Sequence, residues 1–374
     1  MNPTYDIAIA GAGILGLAHA YALARRGQRV VVFERGRRAQ GASIRNFGMI
    51  WPIGQPSGAM YALALRSRGL WLDVLRDSGL WHAQSGSLHL AYHDDEAAVL
   101  REFVQLHGEE YGVELLTPAE VLRRFPAVQP KGLQAGLWSP REVGVDPRQV
   151  IAQLPDWLQR TLGVEFFFDT TVTGYHLPQI HTTHGNFRAK RLILATGADF
   201  RDLAPQAFAE SSLIAVKLQM MRTPPYRDFR LGTMLAAGLT LRHYKAFATC
   251  PSLPALARRL DAELPAYGEN GIHVMAAQNG LGELVLGDTH HYGDAIDPFD
   301  RPELDDLVLA YLQRFVQIPD LRIAARWHGI YVKHPKRSYV VAEPSREVLA
   351  VTGVGGAGMT LSFGLADQIV EEWL

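Results

Sequence analysis

The segment Gly11-Ala12-Gly13-Ile14-Leu15-Gly16 constrains this chain more than any other stretch. It follows a short apolar run, Tyr5 to Ala10, and opens an alanine-rich stretch from Leu15 to Arg26 that stops at Gly27. A buried parallel strand, a turn and a helix are expected in that order. Arg29 to Glu34 reads as a second strand. The unit is then βαβ, right-handed if both strands share a sheet. In a G-x-G-x-x-G turn the first glycine allows the tight turn and the second lets backbone approach a pyrophosphate. The third permits close packing of helix on strand, and the helix N-terminus stabilises phosphate charge. Glu34 ends the second strand, where a carboxylate accepts hydrogen bonds from ribose hydroxyls and repels a 2′-phosphate. A dinucleotide held by Gly11, Gly13, Ile14, Leu15, Gly16, Glu34 and Arg35 follows from this motif.

The rest of the chain must house what such a unit serves. At 374 residues, two domains or one domain with a large insertion are expected. Hydrophobic residues make up 48% and charged residues 20%, enough for a sizeable core and against disorder. A net charge of -1 gives no reason to expect a nucleic-acid or anionic-membrane partner. The one cysteine, Cys250, excludes an internal disulfide and a Cys-rich metal site. No apolar run is long enough for a membrane span, and the N-terminus lacks a signal-peptide layout. The expectation is a cytoplasmic protein with no metal.

The patterns along the chain divide it. Helices are expected over Ala59 to Ser78, Asp94 to Tyr111, Thr117 to Phe125, Pro147 to Leu162 and Asp300 to Val316. Thr117 and Glu120 have capping-box spacing. Pro126 to Pro140 reads as loop. Leu88 to Tyr92, Glu165 to Thr173 and Leu192 to Ala195 read as strands. Residues 216–220, 240–244, 272–275 and 283–286 alternate, as strands of an antiparallel sheet with one polar face would. Val348 to Leu374 returns to strand, glycine loop and helix. The fold class expected is α/β: a Rossmann-like nucleotide domain with an inserted antiparallel-sheet (α+β) substrate domain. The nucleotide domain would take 1–80, 141–212 and 322–374, and the substrate domain 81–140 and 213–321.

Three segments together carry a resemblance: the glycine loop, Leu192-Ile193-Leu194-Ala195-Thr196-Gly197-Ala198 in the middle, and Gly353-Val354-Gly355-Gly356-Ala357-Gly358-Met359-Thr360 near the end. In order and spacing they resemble the FAD-dependent D-amino acid oxidase, glycine oxidase and sarcosine oxidase family. The resemblance implies that FAD is the dinucleotide and that Ala195, Thr196 and Gly197 lie close to it. It implies that the loop Gly355, Gly356, Gly358, Met359 and Thr360 opens a helix pointing at the flavin. A helix N-terminus there would stabilise the negative charge of reduced flavin. It further implies that Ser43, Arg45, Asn46, Gly48 and Met49 form a second cofactor loop and that the backbone of Val172 meets adenine. Members with covalent flavin use a cysteine near the terminal motif. None stands here, so non-covalent FAD is expected.

The same resemblance sets an expected reaction: hydride leaves the C–H beside an amine nitrogen for the flavin, the imine hydrolyses, and oxygen or another acceptor takes the electrons. Relatives acting on α-amino acids carry an arginine after Trp-x-Gly-Leu to clamp a carboxylate. Here Trp327-His328-Gly329-Ile330 is followed by Tyr331. Lys333, His334, Lys336 and Arg337 come next, and Tyr244 and His290 are further pocket candidates; of His290 and His291 only one can face a site from a strand. The stretches Ile44 to Pro52 and Gly271 to Met275 most resemble a bacterial subgroup associated with phosphonate catabolism. That resemblance implies a small anionic amine such as 2-aminoethylphosphonate or its N-methyl form. A glycine, sarcosine or D-amino acid oxidase, an FAD dehydrogenase, and a catalytically silent flavin-binding module are the alternatives.

Overall fold

The computed structural model describes residues 4–199, 201–209, 211–293 and 295–374. Its first sheet is built on β1 (Thr4–Ala10), which continues through α1 (Ile14–Ala24) into β2 (Val30–Phe33). β1 lies between β2 and the long strand Gly185–Leu194, parallel to both. Val348–Thr352 adds in parallel beyond Gly185–Leu194, and Glu165–Phe167 adds in parallel to β2. Antiparallel strands Val172–His176, Gln179–Thr182 and Val340–Ser345 complete an 8-stranded sheet. β1 is buried on both faces. Ile7 and Ile9 pack into one hydrophobic cluster, while Ala8 and Ala10 pack into another.

Helices α1, Pro147–Leu162 and Gly358–Trp373 contribute Leu17, Leu154 and Phe363 to the first of those clusters. Phe363 meets Trp71 edge-on at 4.6 Å and Tyr21 at 5.5 Å between ring centroids. Truncating so buried a ring to alanine costs about 3–5 kcal/mol. Trp71 belongs to helix Ala59–Ser78, and its indole N–H donates to the Met359 carbonyl at 2.7 Å. The terminal helix is thereby fixed at its first turn.

The second sheet has 9 strands, with its own hydrophobic cluster around Leu88, Phe103, Phe247, Leu286 and Phe315. Near one edge of it, Ile214–Arg222 pairs with Leu284–Gly287, His291–Gly293 and Ala325–Lys333. The helices Ala59–Ser78 and Asp94–Tyr111 have the bounds that periodicity gave, and the capping box of Thr117 and Glu120 is formed. A 3-stranded sheet, Met49–Ile50, Val143–Val145 and His82–Ala83, packs beside the two large ones.

Several elements differ from the sequence expectation, and the strand expected over 272–275 begins only at Met275 and runs to Gln278. Residues 240–244 are not a strand: Gly238–His243 is a short helix that buries Leu239 and Leu241. Five alternating residues fit one helical turn as well as a strand, and burial decides between them. The expected loop 126–140 contains the strand Ala135–Ser139, which has no β-branched residue and is held by pairing with Ser87–Ala91. Ala325–Lys333, assigned by pattern to the nucleotide-binding part, hydrogen-bonds along Ile214–Arg222 in the second sheet. Pairing partners are not encoded in the pattern of a single strand.

One buried group makes a stability prediction. His89, in strand Ser87–Ala91, is fully buried between Trp51 and Phe247, with ring centroids 5.5 and 5.3 Å away. Neither ring nitrogen has a partner among the described residues. Burial pushes its pKa from the ordinary 6.5 to about 3. The folded ring stays neutral while the unfolded one takes up a proton below 6.5, so the stability it contributes is present above that pH and is lost as pH falls toward about 3. His89→Phe removes two unpaired nitrogens and this proton linkage. The variant should melt at a higher temperature than the parent at pH 5, with the gap narrowing at pH 8. Melts at the two pH values showing an equal or reversed gap would contradict this.

Candidate active site

A single cavity of about 1140 Å³ runs between the end of β1 and the second sheet. One end is made from backbone. Gly11 has φ of +108°, and a Cβ there would lie 2.5 Å from the Ala195 carbonyl oxygen. A Cβ on Gly16 would lie 1.9 Å from the Gly11 carbonyl oxygen. No other residue fits these two positions, since a real Cβ does not approach so closely. Gly13 is different: its φ is -68°, and a Cβ would meet only the Ser43 hydroxyl at 3.1 Å. Gly13 leaves room on the cavity side of the turn.

The polar groups of this end are arranged around α1. The Ser43 hydroxyl accepts from the Ile14 N–H at 2.9 Å, so it completes the helix start that Gly13 cannot cap. The Glu34 carboxylate accepts from the N–H groups of Ala12 at 2.9 Å and Gly36 at 3.1 Å. Each of its oxygens keeps a lone pair for a further donor. Arg35 reaches Asp199 at 2.7 Å, and Val172 lies on the same stretch of wall. Among the residues expected at a cofactor, Gly11, Gly13, Ile14, Leu15, Glu34, Arg35, Ser43, Arg45, Asn46, Met49, Val172, Ala195, Thr196, Gly197, Gly355, Gly356, Gly358, Met359 and Thr360 line the cavity. Gly16 and Gly48 stand behind it, packed on the Gly11 and Val145 carbonyls.

Several of these side chains serve the frame. The Asn46 amide donates to the carbonyls of Ala42 and Ser43, and its oxygen accepts from the Gly48 N–H. Arg45 donates to the His328 carbonyl at 3.0 Å and so ties this loop to the second sheet. The Thr360 hydroxyl accepts from the Trp51 N–H at 2.9 Å. Helix Gly358–Trp373 has no side-chain cap, so its first N–H groups and its positive end open on the cavity.

The other end is made of side chains. Tyr244, His290, Tyr331 and Lys333 all line it, as do His243, His273, Asp288 and Tyr292. His290 is buried and its neighbour His291 is exposed. Burial raises the Tyr244 and Tyr331 phenols well above their ordinary value, so both are donors at neutral pH. Lys333 lies with Nζ 4.9 Å from the Tyr292 ring centroid. Burial and then the charge of Lys245 lower its pKa. Lys336 and Arg337 are exposed, and their N–H groups donate to His334 Nδ1.

Three imidazoles also converge at this end, where the sequence offered only the adjacent pair His290 and His291. One ring nitrogen from each of His243, His273 and His290 lies within 4.8 Å of the other two. They come from a helix end, a loop and the segment between two strands, so no local spacing announces them. His273 Nε2 is 3.0 Å from Asp288 Oδ1, and His290 Nδ1 is 2.9 Å from the Gly271 carbonyl. Burial would raise the Asp288 carboxyl, but the neighbouring His273 and His290 outweigh it and hold the group below its ordinary range.

The cavity fits FAD on physical grounds: a glycine cradle and a helix N-terminus for pyrophosphate, a carboxylate for ribose, and a second helix N-terminus farther along. Comparison with known proteins agrees. Residues 6–372 match the family model described as FAD dependent oxidoreductase, and the chain belongs to that family. Glycine oxidase of Geobacillus kaustophilus is 30% identical over 241 residues, 60% of this chain and 63% of that protein. Monomeric sarcosine oxidase of Streptomyces avermitilis is 26% identical over 53% of each chain. These alignments span less than two thirds of the relatives' lengths. Among solved structures, L-proline dehydrogenase from P. horikoshii superposes with a TM-score of 0.81 at 20% identity, covering 99% of this chain and 93% of that one. The shared fold is that of these Rossmann-like flavoproteins.

The two kinds of glycine should separate in mutants. Gly13→Ala has an allowed backbone and should fold, but its methyl enters the cradle. FAD titrated into the apoprotein should bind at least about tenfold more weakly, near 1.4 kcal/mol. Gly16→Ala should instead lower the melting temperature of the apoprotein itself. Unchanged FAD affinity in Gly13→Ala would show that the cradle is not where the cofactor sits.

Proposed function

We propose that the chain oxidises a small anionic amine at the C–H next to nitrogen, and that the amine is an aminophosphonate such as 2-aminoethylphosphonate or its N-methyl form. The observation that carries this reading is the single cavity joining the glycine cradle to a wall of Lys333, Tyr331, Tyr244 and three histidines. Bound FAD would supply the acceptor for the hydride, and oxygen or another acceptor would then take the electrons. Gly11, Gly13, Glu34 and Ser43 would hold the ADP half. The uncapped N-terminus at Gly358 would favour negative charge in the middle of the cavity, an effect of about 0.3–1 kcal/mol at an exposed helix end and up to ~2 when partly buried.

The remaining wall would hold the substrate. Trp51, Met49, Leu218 and Met220 exclude water there. Lys333 Nζ and the Tyr331 and Tyr244 hydroxyls are donors for an acidic group. Tyr331 stands where amino-acid oxidising relatives are expected to carry an arginine, so the planar fork that suits a carboxylate is missing from this position. Lysine is a point charge that serves a phosphonate equally well. The names of the sequence relatives, glycine oxidase and sarcosine oxidase, support a second reading in which the amine is a small amino acid.

Anaerobic mixing of the FAD-loaded protein with a substrate panel tests both. We expect 2-aminoethylphosphonate or its N-methyl form to bleach the flavin faster than glycine, sarcosine or D-alanine; the reverse order selects the second reading. Bleaching by none of them would point to a catalytically silent flavin protein. Lys333→Met should lower kcat/KM by roughly 10–100-fold, the worth of a charge-assisted contact of about 1.5–3 kcal/mol, mainly through KM.

A further inference from the structure

The three imidazoles share the substrate end, His273 and His290 buried and His243 exposed, and their geometry says what they can bind. The rings lie face to face, with 18° to 37° between their planes. His243 stacks on His273 at 3.7 Å with 30° between planes, and His273 faces His290 at 5.2 Å and 18°. A metal ion takes its bond in the plane of each ring, at about 2.0–2.1 Å from nitrogen. Rings stacked face to face do not aim their lone pairs at one point. The charge of Lys333 acts on both His243 and His290 and that of Arg242 on His243, whereas the one carboxylate at the cluster, Asp288, is already engaged by His273 at 3.0 Å. An anion with several oxygens needs no such convergence, since separately placed imidazole N–H groups and an ammonium can each reach a different oxygen.

The frame behind these rings is built. Asp288, 5% exposed, sits 3.0 Å from His273 Nε2 and 3.7 Å from His290 Nε2. His273 is 3% exposed, and its Nδ1 has no hydrogen-bond partner among the described residues. An orphaned nitrogen in so buried a ring is costly unless something outside the protein completes the cluster. His243, stacked over His273, shows its own surface to the cavity. Arg242, Tyr244 and Lys245 flank His243 along the chain. Asp288, Tyr292, Tyr331 and Lys333 face the group from the second sheet and the segments joining its strands.

We propose that His243, His273 and His290, with Lys333, seat a tetrahedral dianionic headgroup, and that the cluster takes up a proton when the dianion binds. The inference rests on reading this cavity as the site of a small anionic amine, and it names the groups that would select phosphonate over carboxylate. Without a ligand, the surrounding protein and then the neighbouring histidines lower His243, even though its surface opens on the cavity; burial, opposed by Asp288, also lowers His290. Both are therefore neutral at pH 7. A dianion favours the charged imidazole, so its arrival raises these values again. Affinity for a dianion is then full at low pH and declines as pH rises through the pKa of the occupied cluster. With one proton linked, the decline is about tenfold per pH unit. A carboxylate monoanion offers less of this field and should show a weaker slope.

The test uses FAD-loaded protein and sulfate, which stays dianionic over the whole range, with acetate as the monoanion. Calorimetric titrations between pH 6 and 8, in buffers of different ionisation heat, read affinity and proton uptake together. We expect sulfate to bind once per chain, its affinity to fall about tenfold per pH unit toward pH 8, and up to one proton to be taken up. His243→Asn and His290→Gln should each flatten the slope. Lys333→Met should weaken sulfate at every pH while keeping proton uptake. Affinity independent of pH, binding unaffected in both histidine variants, or tight stoichiometric binding of Zn²⁺ lost in His243→Asn would overturn the proposal. If sulfate behaves as expected while no aminophosphonate bleaches the flavin, the anion seat stands and the substrate reading falls. If aminophosphonates bleach the flavin but sulfate shows no slope, the seat alone falls.

Discussion

The contact on which the molecule depends is made where β1 ends. The Gly11 N–H donates to the Phe33 carbonyl at 2.7 Å, and the Ala195 N–H donates to the Ala10 carbonyl at 2.9 Å. Gly11 turns there with a positive φ, directly beneath Gly16 and against the Ala195 carbonyl. Three backbone segments meet with no room for a side chain. That closeness brings the start of α1 over the strand ends and leaves its positive pole facing the cavity.

The cavity owes its shape to a few ties between parts that are distant in sequence. Thr360 takes the Trp51 N–H, Trp71 takes the Met359 carbonyl, and Arg45 takes the His328 carbonyl. The loop after β2 is thus pinned to the terminal helix on one side and to the second sheet on the other. Arg148 adds a half-buried link, with Asp146 at 2.9 Å and Glu283 of the second sheet's region at 2.5 Å. Removing one member of such a set would leave its partner buried and unpaired, which costs more than the bond is worth. These ties explain why the loop 42–49 matters even where its side chains are used up within the frame. Asn46 and Thr360 shape the wall of the cavity rather than offering free hydrogen bonds to it.

What could be read from the sequence was what short-range physics dictates. Gly11 to Gly16, the alanine-rich helix after it and Glu34 form a local unit whose geometry follows from steric rules. The capping box at Thr117 is equally local. What was hidden came from tertiary pairing. Residues 240–244 alternate like a strand, but the core accepts Leu239 and Leu241 from a helix. Ala135–Ser139 has no β-branched residue and is held as a strand by pairing with Ser87–Ala91 and Glu114–Leu116. The histidine cluster was the largest omission. His243, His273 and His290 are far apart in the chain, and only the docking of a helix end against two segments of the second sheet brings their rings together. Tyr331 was legible by its place after Trp327-His328-Gly329-Ile330, whereas its neighbours across the cavity were not.

The central claim is that one cavity, begun by the Gly11 turn, holds FAD without a covalent bond. Denaturing the purified, FAD-reconstituted protein and analysing the released pigment tests this most directly. The account predicts one FAD per chain, all of it released on unfolding. FMN in its place, pigment that stays attached to the unfolded chain, or a protein that takes up no flavin when FAD is supplied would contradict it.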